Sequence, residues 1–115
     1  MIRQPRQHSE KHLRYIRRLP CVICGDPTTT EAAHVRFSSI QFGKRQVGVG
    51  EKPDDKWVVP LCGAHHRTQH QENERAFWAA HRINPLSVAD ELWSATGDHE
   101  RGEQIVLRAS RAVAE

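Results

Sequence analysis

At 115 residues the chain is the size of one domain, with 37% hydrophobic residues and 17 Lys and Arg against 14 Asp and Glu, net +3. No run of about 18 apolar residues is present, so a membrane-spanning role is excluded, and a second domain is not expected. The mild basic excess, with pI near 9.0 and a mean hydropathy of -0.69, suits a polyanionic partner and leaves an apolar core small enough to call for a stapling metal.

In chain order, Met1 to Arg6 run into charge rather than a hydrophobic signal region, which implies a cytoplasmic protein. Leu13, Ile16 and Leu19 recur at three-residue spacing after Ser9 and before Pro20, predicting a helix over 8–19 with a basic outer face. Cys21-Val22-Ile23-Cys24-Gly25 forms a tight knuckle, and β-branched and small residues over 28–37 predict a strand carrying His34. Residues 38–56 hold Gly43, Gly48, Gly50 and Pro53 among Lys44, Arg45 and Lys52, a long loop of the kind kept for binding. A second strand is expected at 57–61 and a helix from Gly63 to about Gln71. Asn73 then caps a helix reaching Ile83, Asn84-Pro85 opens another that stops at Gly97, and an amphipathic stretch follows over 103–113.

Cys21-x-x-Cys24 and Cys62-x-x-His65 place four zinc-type donors in two knuckles, each spaced so that both side chains reach one tetrahedral ion. This uses every cysteine of the chain. The competing reading is a dithiol redox pair, but such a pair usually opens a helix inside a βαβ unit, and that pattern is not found. The expected cofactor is therefore a structural Zn²⁺.

His66 and His70 stand four apart on the expected helix, so both imidazoles leave one face and can share a second metal. Taken alone, such a pair fits a solvated polar helix better, and position changes that. They follow directly on the knuckle ligand His65, which fixes where the helix starts and aims the pair.

The arrangement Cys21-x-x-Cys24, then Ala33-His34-Val35, then Pro60-Leu61-Cys62-x-x-His65-His66 resembles HNH (ββα-metal) nucleases of the zinc-knuckle type. From Leu19-Pro20-Cys21 through Gly48-x-Gly50-Glu51-Lys52-Pro53 to His65-His66, the chain is also similar to phage and prophage proteins of the recombination-enhancement (Ref) group. The likeness covers roughly residues 10 to 95. It implies an α+β fold: one ββα-metal core over about 19–82, an N-terminal helix over about 8–19 and C-terminal helices over about 85–113. It further implies that His34 is the general base and that His66 and His70 hold one catalytic divalent ion, Mg²⁺, Mn²⁺, Zn²⁺ or Ni²⁺. The chain departs from the pattern at Ala33, where many relatives carry a metal ligand, and near Trp57, where the family's Asn is absent. Asp54 or Asp55 is the substitute within reach for the third ligand or the brace.

Phosphodiester hydrolysis needs an activated water and relief of charge on phosphate. A neutral histidine can take the water's proton, and a histidine-held ion can bind phosphate. Arg36, Lys44, Arg45, Lys52 and Arg67 flank these elements and are expected to hold the backbone of DNA, single- or double-stranded. The expected activity is thus a metal-dependent DNA endonuclease of phage or prophage recombination, in a bacterial cytoplasm, with recombination proteins as further partners. The rival is a zinc-stabilised DNA-binding or recombination-accessory module without catalysis. A structure-specific RNase or homing-type endonuclease differs only in substrate. Phe77, Trp78 and Trp93 read as core residues rather than base-stacking ones, because their helical spacing matches Ile83, Leu86 and Leu92.

Overall fold

The computed structural model describes residues 8–39, 41–44 and 53–114. It is a small α+β unit whose elements run α1 (Glu10–Arg17), β1 (Thr30–His34), β2 (Val58–Cys62), α2 (Gly63–Gln71), α3 (Glu74–Ala80), α4 (Pro85–Ser94) and α5 (His99–Ala114). No helix among the described residues is long and apolar enough to cross a membrane.

Local chemistry sets most helix starts. The Ser9 hydroxyl accepts the His12 N–H, the Asn73 side chain accepts the Ala76 N–H, and Asn84 accepts from Leu86 and Ser87, with Pro85 in the first turn. The third helix stops at Ala80, short of Ile83, and Arg82 turns the chain at φ 56°. The last helix begins at His99 rather than Glu103, because Asp98 accepts the Arg101 N–H and starts it a turn earlier.

The two strands pair antiparallel, with Thr30 opposite Cys62 and His34 opposite Val58. β1 is shorter than the 28–37 expected from residue type, since Thr28 is held in a turn by two hydrogen bonds to the Asp26 carboxylate. β2 is buried along its whole length and contains Pro60 opposite Ala32. A proline is tolerated there because its N and O point to the outer edge, where the carbonyl accepts the Val22 N–H at 3.0 Å.

Side chains alternate along β1, so Thr30, Ala32 and His34 share one face while Glu31 and Ala33 share the other. Thr30 reaches back to the Leu19 carbonyl after α1, whereas Glu31 reaches His66 on α2. The hairpin is therefore sandwiched between α1 and α2, and α4 packs on β2. Ile16, Leu19, Val22, Val35, Val58, Leu61, Phe77, Trp78, Leu86 and Leu92 fill the core.

Candidate metal and histidine sites

The first site is where two chain turns meet. Cys21 and Cys24 lie in a turn closed by the Gly25 N–H on the Cys21 carbonyl, and Gly25 takes φ 79°, a conformation that glycine adopts without strain. Cys62 ends β2 and occupies the N-cap of α2, so that His65 follows one turn into the helix. One donor atom from each of these four residues lies within 4.8 Å of the other three.

Individual spacings are 3.8 Å between Cys24 Sγ and Cys62 Sγ, 3.7 Å between Cys21 Sγ and His65 Nδ1, and 3.2 Å between Cys62 Sγ and His65 Nδ1. Donors at about 2.1 to 2.3 Å from one tetrahedral ion stand roughly 3.5 to 3.8 Å apart, so three thiols and an imidazole fit a metal such as zinc. The electrostatics agree. Burial opposes ionisation of Cys62, but the N–H groups of His65 and Ala64 and the thiols of Cys24 and Cys21 outweigh it and hold its pKa below the usual thiol value. Burial, with His81 nearby, pushes the His65 pKa down and favours the neutral ring that binds metal.

The second arrangement occupies the opposite side of α2. His66 Nδ1 lies 2.6 Å from Glu31 Oε1, and a carboxylate there takes the Nδ1–H and leaves the lone pair on Nε2. That Nε2 stands 3.0 Å from His70 Nε2. At that distance one ring nitrogen can donate to the other. Two nitrogens bound to one ion at about 2.1 Å would stand about 3.0 to 3.4 Å apart, so the pair also fits a shared metal. Arg67 is exposed beside them, and a Cβ on Gly63 would meet its Nη1 at 3.3 Å and Glu31 Oε2 at 3.5 Å.

His34 is held elsewhere. Its Nε2 lies 2.9 Å from Oδ1 of Asp55, a fully buried carboxylate whose Oδ2 also accepts the Ser9 N–H at 2.8 Å and faces His8 Nδ1 at 2.8 Å. Asp55 is therefore the brace of His34, and strand alternation turns this pair toward the α1 side while Glu31 and the histidine pair occupy the α2 side. The structure brings His66 and His70 together and sets His34 on the other strand face. Ala33 is buried on the face of Glu31.

Of the expected phosphate contacts, Arg36 and Arg67 are exposed, while Arg45 and Lys52 lie outside the described residues. Lys44 corrects the expectation: it is only 4% exposed, and its ammonium donates to the Arg36 carbonyl at 3.0 Å, tying down the Ser39–Lys44 turn. Sequence reasoning missed Glu31. Its signal was positional, an acid two residues before Ala33 and so on the same face of the strand, toward the helix that carries His66.

A family model described as "Protein of unknown function (DUF968)" matches residues 2–96. The chain is also 35% identical over 63 residues to "Uncharacterized protein YdfU" of Escherichia coli (strain K12), an alignment covering 55% of this chain. It spans only 16% of that longer protein. No solved structure matches. Since the family model takes in α1 through α4 with both Cys/His turns and the hairpin between them, the chain belongs to the DUF968 family.

Proposed function

We propose that the protein is a metal-dependent endonuclease of the HNH type, with a structural zinc on Cys21, Cys24, Cys62 and His65 and a catalytic ion on His66 and His70. The observation that carries this reading is the 3.0 Å approach of the two Nε2 atoms, with His66 oriented by Glu31, on a helix whose start the knuckle fixes. A histidine pair that merely faced water would need neither the carboxylate behind it nor convergent lone pairs. The resemblance to HNH and recombination-enhancement proteins supports DNA as the substrate and a phage or prophage setting.

When bound, the ion would supply Lewis-acid relief of charge on the scissile phosphate. Imidazole donors favour Zn²⁺, Mn²⁺ or Ni²⁺ over Mg²⁺, which prefers oxygen. Asp55 holds His34 through Nε2 and fixes the orientation of the ring, the group that would accept a water's proton. Exposed Arg36 and Arg67 hold neighbouring phosphates by charge.

A second reading, a zinc-stabilised DNA-binding or recombination-accessory module without catalysis, is favoured by one observation: His34 and the histidine pair lie on opposite faces of the hairpin. One experiment separates them. Zinc-loaded protein is incubated with supercoiled plasmid, single-stranded DNA and RNA under added Mg²⁺, Mn²⁺, Ni²⁺ or Zn²⁺. The nuclease reading expects cleavage with at least one ion. His66→Ala should lose activity that extra metal partly restores, whereas His34→Ala should lose about 10²- to 10⁴-fold without responding to metal. DNA binding by a wild type that cleaves under no ion, with His34→Ala indistinguishable from it, establishes the accessory module instead.

A further inference from the structure

We propose that Lys11, Arg14 and Arg18 form a binding surface for the phosphodiester backbone of nucleic acid, separate from the histidine pair. The three fall at i, i+3 and i+7, one stripe along the outer side of α1 and its C-cap that covers about 10 Å of helix. They line a cavity of about 300 Å³ closed on its other side by Gly97 and His99 at the start of α5, with Tyr15 between. Three cations and no carboxylate face this space.

What sets these cations apart is that three of them line one cavity, with no carboxylate in its lining and none paired elsewhere among the described residues. Arg17 on the same helix is bound to Glu10 at 3.2 Å and Lys56 to Asp90 at 3.2 Å, but none of the three has a carboxylate partner among the described residues. The Tyr15 hydroxyl donates to the Asp98 carbonyl, while the Asp98 carboxylate is turned to the Arg101 N–H as a helix cap. Three like charges kept together in a concave site repel one another, and a polyanion relieves that repulsion by releasing its own counterions.

Membrane phosphates offer the same chemistry, but an interfacial helix must also sink an apolar face into lipid. The apolar face of α1 is already spent, with Leu13, Tyr15, Ile16 and the following Leu19 all buried in the core. Only the charged side is available, which suits a backbone rather than a bilayer. Burial of Lys44 strengthens the assignment, since it removes one cation from the loop that otherwise competes for this role.

The surface is independent of hydrolysis, so binding is read with no catalytic metal added. Fluorescence anisotropy of a labelled duplex and of its single strand is followed across salt for wild type and for Lys11→Ala/Arg14→Ala/Arg18→Ala. Alanine at exposed helical positions favours the helix, and circular dichroism with zinc content checks folding. The triple variant should bind on the order of tenfold more weakly or worse, with the slope of log K against log salt reduced by about 2 to 3 on duplex. Lys11→Gln/Arg14→Gln, which removes the charge but keeps a polar helix-forming side chain, should lose about two contacts' worth. Arg82→Ala/Arg108→Ala, which removes two exposed charges elsewhere, should keep the wild-type slope. Unchanged affinity and slope in the triple variant overturn the proposal, as does an equal loss in the Arg82/Arg108 control. Wild-type binding to phosphatidylserine vesicles without binding to DNA overturns it in favour of a lipid surface.

Discussion

His65 and His66 are neighbours on one helix, yet the regions they serve behave differently. His65 turns to the knuckle, where four donors from two distant turns converge and tie β2 to the chain leaving α1. His66 turns to the other side, to Glu31 on β1 and His70 one turn along α2, in a line that ends at the surface. Two histidines one position apart thus meet different partners, three thiols for His65 and a carboxylate and an imidazole for His66, and the proposed folding and chemical roles follow that difference. The largest expected effect breaks the first region. Cys62→Ala should drop zinc from about one per chain to none and remove cooperative unfolding, because structural zinc contributes on the order of 10 kcal/mol in small domains. His70→Ala should change stability by no more than about 0.5 kcal/mol and leave zinc in place. Elemental analysis with thermal denaturation checks both, and a Cys62→Ala protein that melts at the wild-type temperature would show that the knuckle does not hold the fold.

Asp55 sharpens the comparison because it belongs to both kinds of region. It is fully buried, and it holds His34, a residue of the proposed chemistry, together with the N–H of Ser9 at the start of α1. Removing its side chain strands those donors in the interior. Asp55→Ala is expected to cost roughly 3 to 5 kcal/mol, the usual range for breaking a buried charged hydrogen-bond set, with zinc content unchanged. Asp55→Asn keeps an acceptor for Ser9 and should cost less, about 1 to 2 kcal/mol. Denaturant melts alongside zinc analysis decide it. If Asp55→Ala also released the zinc, knuckle and α1 junction would be one cooperative unit rather than two.

What was legible in the chain was local. Ser9, Asn73 and Asn84 cap the helices their side chains announce, and the two C-x-x-C/H turns meet where their spacing said they could. What was hidden depends on residues far apart in sequence. Gly102, just ahead of the stretch expected from Glu103, lies inside α5, where a Cβ would overlap the Tyr15 ring and the Leu19 side chain. Lys44 reads as a binding cation, and only the fold of its own turn shows the ammonium on the Arg36 carbonyl. Asp54 and Asp55 are equivalent in sequence, and burial singles out the second. Which strand face His34 takes depends on where β1 begins, and that is set by the Asp26 turn rather than by strand propensity.

An effect that only a change of pH brings out concerns another histidine, His12, which belongs to neither region. It is buried on α1 with Nδ1 at 2.7 Å from Thr96 Oγ1 and its ring edge-on to Trp93, while Nε2 has no partner among the described residues. Burial lowers its pKa to about 4, against a smaller opposing pull from Asp55. An unfolded His12 titrates near the ordinary value of about 6.5, so between these two values the unfolded chain binds a proton that the folded one refuses. Stability from this residue is therefore complete above about pH 6.5 and declines as pH falls toward 4, by at most about 3 kcal/mol. The zinc donors also protonate in acid and add their own loss, so the wild-type curve alone does not isolate His12. His12→Leu supplies the contrast, because it removes the titrating ring and leaves the knuckle untouched. Urea melts at matched zinc loading from pH 7.5 to 4.5 should show a shallower decline in the variant, with the two curves converging toward acid. Parallel curves across that range would mean that His12 finds a proton acceptor inside the fold, and that its buried Nε2 is satisfied after all.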